Sequence, residues 1–298
     1  MTKGLPAGAV LQGRHGAYMV TREVARGGMG AILEAQEQGS GRVVAVKAAC
    51  LDPAFCEGKR EVIRERLLQE MSALLPLEHP SLPRVVDQFS SADNEFLVME
   101  FVAGQTLNKI LDRAIREKRL LEESRVVGWA LQVLDALAYL HGQPKPIIHR
   151  DIKPDNLILT PDGRVVLVDF GLMKQVERSL QSGPLIHAVG TVEFAPPEQY
   201  AEGSGGTDQR TDIYSLGATL YYLLTSRLPP RSVERMLPFS MGAVKKLPSV
   251  RAANATVSPQ TERVVARAME IDPADRYPTA QAMREALAPR RRFFTLPF

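Results

Sequence analysis

Cysteine is almost absent from this chain of 298 residues. Cys50 and Cys56 are the only two, and no cluster of histidines stands beside them. That excludes a disulfide framework and a cysteine-based zinc site, and it fits a reducing compartment. Aromatic residues are sparse, at 6%, and are not interleaved with basic runs, which argues against a stacking platform for single-stranded nucleic acid. The net charge of +3 is too small to point to nucleic acid as a partner. No apolar run reaches the roughly eighteen residues of a membrane span. The N-terminus shows no charged-then-apolar leader, so the expectation is a soluble, cytoplasmic chain. Internal repeats and low-complexity segments are also missing. What remains is an ordinary globular composition, 45% hydrophobic and 24% charged, with length enough for one large domain or two lobes.

Two blocks meet near residue 102. The first is strand-rich: alternation predicts strands over 18–24, 31–35, 42–49, 84–89 and 95–101, and one helix over about 57–75 that Pro76 ends. The second is mainly helical. Ala130, Val133, Leu134, Leu137 and Ala138 recur at helical spacing within 123–141, giving one broad apolar face. Residues 212–225 are apolar nearly all round, as in a buried central helix, and further helices are expected at 259–270 and 279–288. The tail Arg290-Arg291-Arg292-Phe293-Phe294 reads as a frayed end rather than the approach to a membrane span.

Chemistry concentrates in the run His149-Arg150-Asp151-Ile152-Lys153-Pro154-Asp155-Asn156. After apolar Leu157-Ile158-Leu159, a Pro161-Asp162-Gly163 turn and Val165-Val166-Leu167-Val168, a second run follows, Asp169-Phe170-Gly171. The acids are expected at the ends of a small hairpin. Phosphoryl transfer needs a group to orient a hydroxyl, oxygen ligands for Mg²⁺ and positive charge over the phosphate. Asp151 suits the first role and Lys153 the third. Asn156 and Asp169 are hard oxygen ligands of the kind Mg²⁺ takes when phosphates supply the others. His149 reads as a packed core histidine.

Upstream, Gly27, Gly28 and Gly30 lie between two predicted strands. They leave backbone N–H groups open to a phosphate, although a plain hairpin turn would explain them equally well taken alone. In Val44-Ala45-Val46-Lys47, Ala45 and Lys47 share a strand face, so a flat base could lie on Ala45 with its phosphates toward Lys47. On the predicted helix Ile63, Leu67, Glu70 and Leu74 form one stripe. An acid in an apolar stripe needs a partner, which makes Glu70 the best mate for Lys47, the alternative being a boundary Glu at the rim of the stripe.

In this order the motifs resemble those of a eukaryotic-like serine/threonine protein kinase catalytic domain of the bacterial kind, over roughly residues 17–288. The resemblance implies an α+β, two-lobed protein-kinase-like fold. A small antiparallel-sheet N-lobe with one main helix would span 17–101, and a larger, mainly helical C-lobe 102–288. It also implies a hinge at 100–104, an N-terminal extension over 1–16 and a basic and apolar tail over 289–298. It implies an ATP-binding transferase of bacterial signalling, with ATP and Mg²⁺ as cofactors (Mn²⁺ as a substitute), protein substrates, no nucleic acid and an open question of homodimerisation. Arg26-Gly27-Gly28-Met29-Gly30 is similar to the glycine-rich loop, with Ala25 in place of its first glycine and Ile32 in place of the usual valine under adenine. Lys47, Asp151, Lys153, Asn156 and Asp169 match catalytic and metal positions, and Glu70 the helix partner. Met99 would gate the adenine pocket, with backbone of Glu100 and Val102 holding the base. Glu198 would pair with Arg276, and Asp212 would anchor the catalytic loop. The stretch between Lys47 and Glu70 is longer than usual. Arg150 implies a switch by phosphate on the activation segment, with Ser179 and Ser182 as acceptors and Thr191 as a mainly structural residue. Two other readings are a nucleotide-binding scaffold without turnover and a small-molecule kinase. Intact catalytic positions argue against the first, and the segment around Thr191 and Glu198 against the second.

Overall fold

The computed structural model describes residues 5–27, 30–50, 57–91, 94–170, 192–200, 207–236 and 246–288. They fall into two compact units, one within Met1–Gly104 and Thr160–Val189, the other within Gln105–Leu159 and Gly190–Phe298. The architecture is the two-lobed one that the sequence implies, an antiparallel sheet unit and a helical unit. The chain does not pass from one unit to the other at a single point, because residues from 160 onward rejoin the first.

Strand alternation builds the first unit. β1 (Val10–Gln12), β2 (Ala17–Gly27), β3 (Gly30–Glu37), β4 (Val43–Cys50), β5 (Val85–Ser91) and β6 (Asn94–Glu100) form one sheet in the order β1-β2-β3-β4-β6-β5. Val44, Val46 and Ala48 of β4 are buried in an apolar cluster with Leu33, Phe89 and Phe96, while Ala45 and Lys47 take the other face. Between β4 and β5 stands α1 (Glu57–Leu74). Its buried stripe is Ile63, Leu67, Met71 and Leu74, so Met71 holds the place the sequence reading assigned to Glu70, which is half-buried. Positions 70 and 71 lie on either side of the stripe axis, and burial favours the thioether. Leu67→Ala would cost about 2–5 kcal/mol. Polar ties also fix the same helix to the sheet: Arg64 Nε donates to the buried Glu95 at 2.9 Å, Gln88 Nε2 to the Leu68 carbonyl at 3.2 Å, and Ser72 Oγ to Gln88 Oε1 at 3.2 Å.

Residues 8–16, expected as part of an extension, are built into this sheet. β1 pairs with β2, and the Gly8 N–H donates to the Val20 carbonyl at 2.8 Å. The turn that follows reaches Asp87, whose side chain is wholly buried. Asp87 accepts from the His15 N–H (3.0 Å), the Tyr18 hydroxyl (3.0 Å) and the Gln88 N–H (2.7 Å), and lies 3.2 Å from His15 Nδ1. A Cβ at Gly13 would stand 2.2 Å from Asp87 Oδ2, so only glycine allows this approach. A three-residue strand carries too little pattern to be read in advance.

The second unit opens with β7 (Gln105–Thr106), which pairs with β8 (Leu157–Leu159). Its helices are α2 (Leu107–Arg116), α3 (Glu123–His141), α4 (Gln209–Thr225), α5 (Ser232–Met236), α6 (Val250–Ala253), α7 (Pro259–Ala268) and α8 (Ala280–Leu287). α2, absent from the sequence reading, starts at Thr106, whose hydroxyl accepts from the Lys109 N–H. From Thr211 to Thr225 every residue of α4 but Tyr222 is buried. At Gly217 a Cβ would come within 2.8 Å of Ala268 Cβ, so glycine sets how closely α4 approaches α7. Among the described residues no helix is long and apolar enough to cross a membrane.

Candidate active site

In the first unit the residues singled out from sequence gather on the sheet face opposite the apolar cluster. Cross-strand register places Ala25 beside Ile32, Ile32 beside Lys47, Lys47 beside Leu97, and Ala45 beside Met99. Paired residues share a face, so Ala25, Ile32, Ala45, Lys47 and Met99 form one surface. Gly27 pairs with Gly30 at the end of the β2–β3 ribbon. A Cβ on Gly30 would lie 2.0 Å from the Ala48 carbonyl oxygen, so strand packing alone requires this glycine. Gly28 lies outside the described residues. At the end of β6, the Glu100 N–H donates to the Arg84 carbonyl at 2.8 Å, so that N–H is already engaged. Val102 follows, half-buried.

Lys47 carries an ammonium bonded to the Asp169 carboxylate and, at 2.8 Å, to the Phe170 carbonyl. The carboxylate that Lys47 takes is that of Asp169, in the segment after β9 (Val165–Leu167), and not the expected Glu70, whose Oε2 is nevertheless buried. Asp169 has φ +62, a left-handed conformation that costs a non-glycine residue about 1–2 kcal/mol and persists where its surroundings hold it. Here the ion pair with Lys47 is one such restraint. The turn that precedes β9 is closed by Thr160 and Arg164, with Gly163 at φ +86.

In the second unit a short loop presents Asp151, Lys153 and Asn156. Lys153 Nζ is 3.2 Å from Asp151 Oδ2. Asn156 Nδ2 donates to the Asp151 carbonyl at 2.7 Å and to its carboxylate at 3.0 Å. Because that nitrogen is committed, the carboxamide oxygen is the atom left for a cation. Arg150, just before Asp151, has φ +63. The buried Asp212 at the start of α4 holds it, accepting from the Arg150 N–H at 2.8 Å and the His149 N–H at 2.9 Å, with His141 Nε2 also at 2.9 Å. Burial opposes ionisation of Asp212, yet the His141 contact, the nearby imidazoles and the Arg150 N–H outweigh it and hold its pKa below the ordinary value. His149 is buried, as expected. The Arg150 guanidinium donates through Nε to Thr207 Oγ1 at 2.8 Å. Glu198 and Arg276 form a two-point ion pair at 2.7 and 3.0 Å, with Arg276 wholly buried. Ser179, Ser182 and Thr191 lie outside the described residues.

Asp169 and Lys47 thus belong to the first unit, and Asp151, Lys153 and Asn156 to the second. Among the described residues no three His, Cys, Asp or Glu side chains could hold a metal by themselves. A divalent ion would need further oxygens from water or phosphate, which is how Mg²⁺ is ordinarily held. Asp169 in the first unit and Asn156 in the second each carry a hard oxygen of the kind such an ion takes. The sequence reading missed Gln199 and Thr207, two uncharged side chains that bond Arg150, because neither stands in a motif.

Serine/threonine-protein kinase pkn3 of Myxococcus xanthus is 36% identical over 285 residues, covering 91% of this chain and 49% of that protein. Serine/threonine-protein kinase PksC of Streptomyces coelicolor is 32% identical over 289 residues, covering 95% of this chain and 50% of that protein. The chain spans about half the length of these curated relatives. Among solved structures, the apo form of PpkA-294 matches with a TM-score of 0.77 at 26% identity, covering 96% of this chain and 100% of that one. The family model described as the protein kinase domain matches residues 18–287, nearly all of the sequence, and by that extent the chain belongs to the protein kinase family.

Proposed function

We propose that this chain is a catalytic domain that transfers the γ-phosphoryl group of Mg-ATP to serine and threonine hydroxyls of proteins. The domain would run from 17 to 288, with a hinge at 100–104. The observation that carries the reading is Asp151, held by Asn156 and Lys153 on a strained loop pinned by Asp212. Its carboxylate would orient the acceptor hydroxyl and receive its proton, while Lys153 offsets charge on the group in transfer. The face that carries Ala45, Ile32 and Met99 would take the adenine, with the carbonyl of Glu100 and backbone of Val102 as its polar partners. Lys47 would bind phosphate oxygens, and Glu70 would serve α1 at the rim of its buried stripe. Asn156 and Asp169 would ligate the divalent ion, Mg²⁺ or Mn²⁺, which supplies charge neutralisation on the phosphates. Autophosphorylation at Ser179 or Ser182 would be received by Arg150. A cytoplasmic location and protein rather than nucleic-acid partners complete the proposal.

The test is transfer of labelled γ-phosphate from Mg-ATP to the chain itself and to a generic basic protein. Asp151→Asn should cut transfer by about 10²–10⁴-fold while nucleotide affinity stays within a few-fold. Lys47→Met should also abolish turnover, through misplaced phosphates. No transfer by the wild-type chain would sink the reading in favour of a nucleotide-binding scaffold. Transfer to small hydroxylated acceptors but to no protein would replace it with a small-molecule kinase.

A further inference from the structure

We propose that Gln199 is a positioning residue for the reaction: it holds the left-handed backbone at Arg150 from the carbonyl side and so aims Asp151. This rests on the kinase reading above and deepens it. A bulky residue at φ +63 is costly and keeps that conformation where its surroundings over-determine it. On the amino side the partner is Asp212, already described. On the carboxyl side it is Gln199, whose Nε2 donates to the Arg150 carbonyl at 3.2 Å. That carbonyl belongs to the peptide joining Arg150 to Asp151. Its orientation decides in which direction the Asp151 side chain leaves the chain. The next carbonyl, that of Asp151 itself, receives Asn156 Nδ2 at 2.7 Å. Two consecutive peptides of the loop are therefore each gripped by a side-chain amide, one from within the loop and one from a distant segment.

Gln199 is itself well fixed. It is 6% exposed and ends the 3-10 turn Pro197–Gln199, with its own N–H bonded to the Pro196 carbonyl at 3.0 Å. Glu198 beside it is locked by Arg276. Thr207 also touches Arg150, but through the guanidinium, which leaves the peptide untouched. The geometry thus separates two roles. Gln199 acts on the backbone that aims Asp151, and Thr207 acts on the side chain alone. A segment immediately after Glu198 in this way sets the geometry of a loop some fifty residues away.

The experiment compares the full chain with Gln199→Met, which keeps length and removes the donor, Gln199→Glu, which keeps shape and faces a carboxylate to the carbonyl, and Thr207→Val. Steady-state phosphate transfer gives kcat and KM for ATP, and amide hydrogen exchange reports local backbone order. Losing one oriented hydrogen bond predicts that Gln199→Met lowers kcat about tenfold, with KM for ATP within about twofold. Gln199→Glu should lose more, and Thr207→Val less than about threefold. Exchange should quicken in peptides spanning 149–153 and stay unchanged in α4. The role is overturned if both Gln199 variants keep wild-type kcat. It is equally overturned if their loss comes with faster exchange throughout α4 and α7, which would mark a general loosening. A wild-type chain that transfers no phosphate overturns the kinase reading and this role together. An active wild type with unaffected variants overturns the role alone.

Discussion

Asp87 and Asp212 are both carboxylates with no exposed surface, and each serves a different unit. Both solve the cost of burying charge in the same way, by accepting two backbone N–H groups, with one side-chain contact for Asp212 and two for Asp87. They differ in what the accepted N–H groups belong to. Asp87 gathers the turn that follows β1 onto β5 at a register shift of that strand, and so ties together the two edges of the sheet. Asp212 gathers the strained residues 149–150 and so shapes the loop that carries Asp151. The same chemical device stabilises in one unit and pre-organises in the other. The distinction lies in whether the chain held is relaxed or strained.

That contrast can be broken by substitution. The largest effect is expected from Asp212→Ala. It frees the backbone at Arg150, and kcat should fall by about 10²-fold or more, since a displacement of about 1 Å of a reacting group suffices for such a loss. A normal kcat in that variant, measured per folded molecule, would abolish the difference between the two acids. Next is Asp87→Ala, which strands the His15 and Gln88 N–H groups and the Tyr18 hydroxyl. Stability should drop by about 3 kcal/mol, seen as a thermal midpoint lower by several degrees, while kcat per folded molecule stays within about twofold. If activity fell in step with Asp212→Ala, Asp87 would have to be given a part in the site.

Acid titration sharpens the same comparison. Burial works to raise the pKa of Asp87, and the hydrogen bonds from His15, Tyr18 and Gln88 outweigh it, so the net direction is downward. Tyr18 moves the other way, raised first by its own burial and then by its bond to Asp87. A carboxylate with a depressed folded pKa binds fewer protons folded than unfolded. Its contribution is present above the ordinary value of about 3.9 and is lost as pH falls through the folded pKa. Denaturant unfolding followed from neutral pH to about pH 3 should therefore show a shallower acid loss in Asp87→Asn than in wild type. An unchanged slope would mean that Asp87 is not what the acid limb reports. The smallest effect is expected from His15→Ala, whose imidazole is largely exposed. It should cost under about 1 kcal/mol and leave the backbone contact from residue 15 in place.

Periodicity and motif order determined much of this protein before any fold was drawn. The alternation in 42–49 placed Ala45 and Lys47 on one face, and the helical repeat in 123–141 and the apolar run of 212–225 became α3 and α4 almost residue for residue. These are local properties, carried by side chains two to four positions apart, and a chain displays them without knowing its partners. The tertiary structure alone decided that Met71 completes the buried stripe of α1, that Lys47 takes Asp169, that the turn after β1 ends on Asp87, and that Gln199 grips the peptide before Asp151. Each of those contacts joins residues far apart in sequence or hangs on a fraction of a helical turn. Their sign is set by burial and hydrogen-bond satisfaction in the assembled units, for which a linear pattern holds no signal.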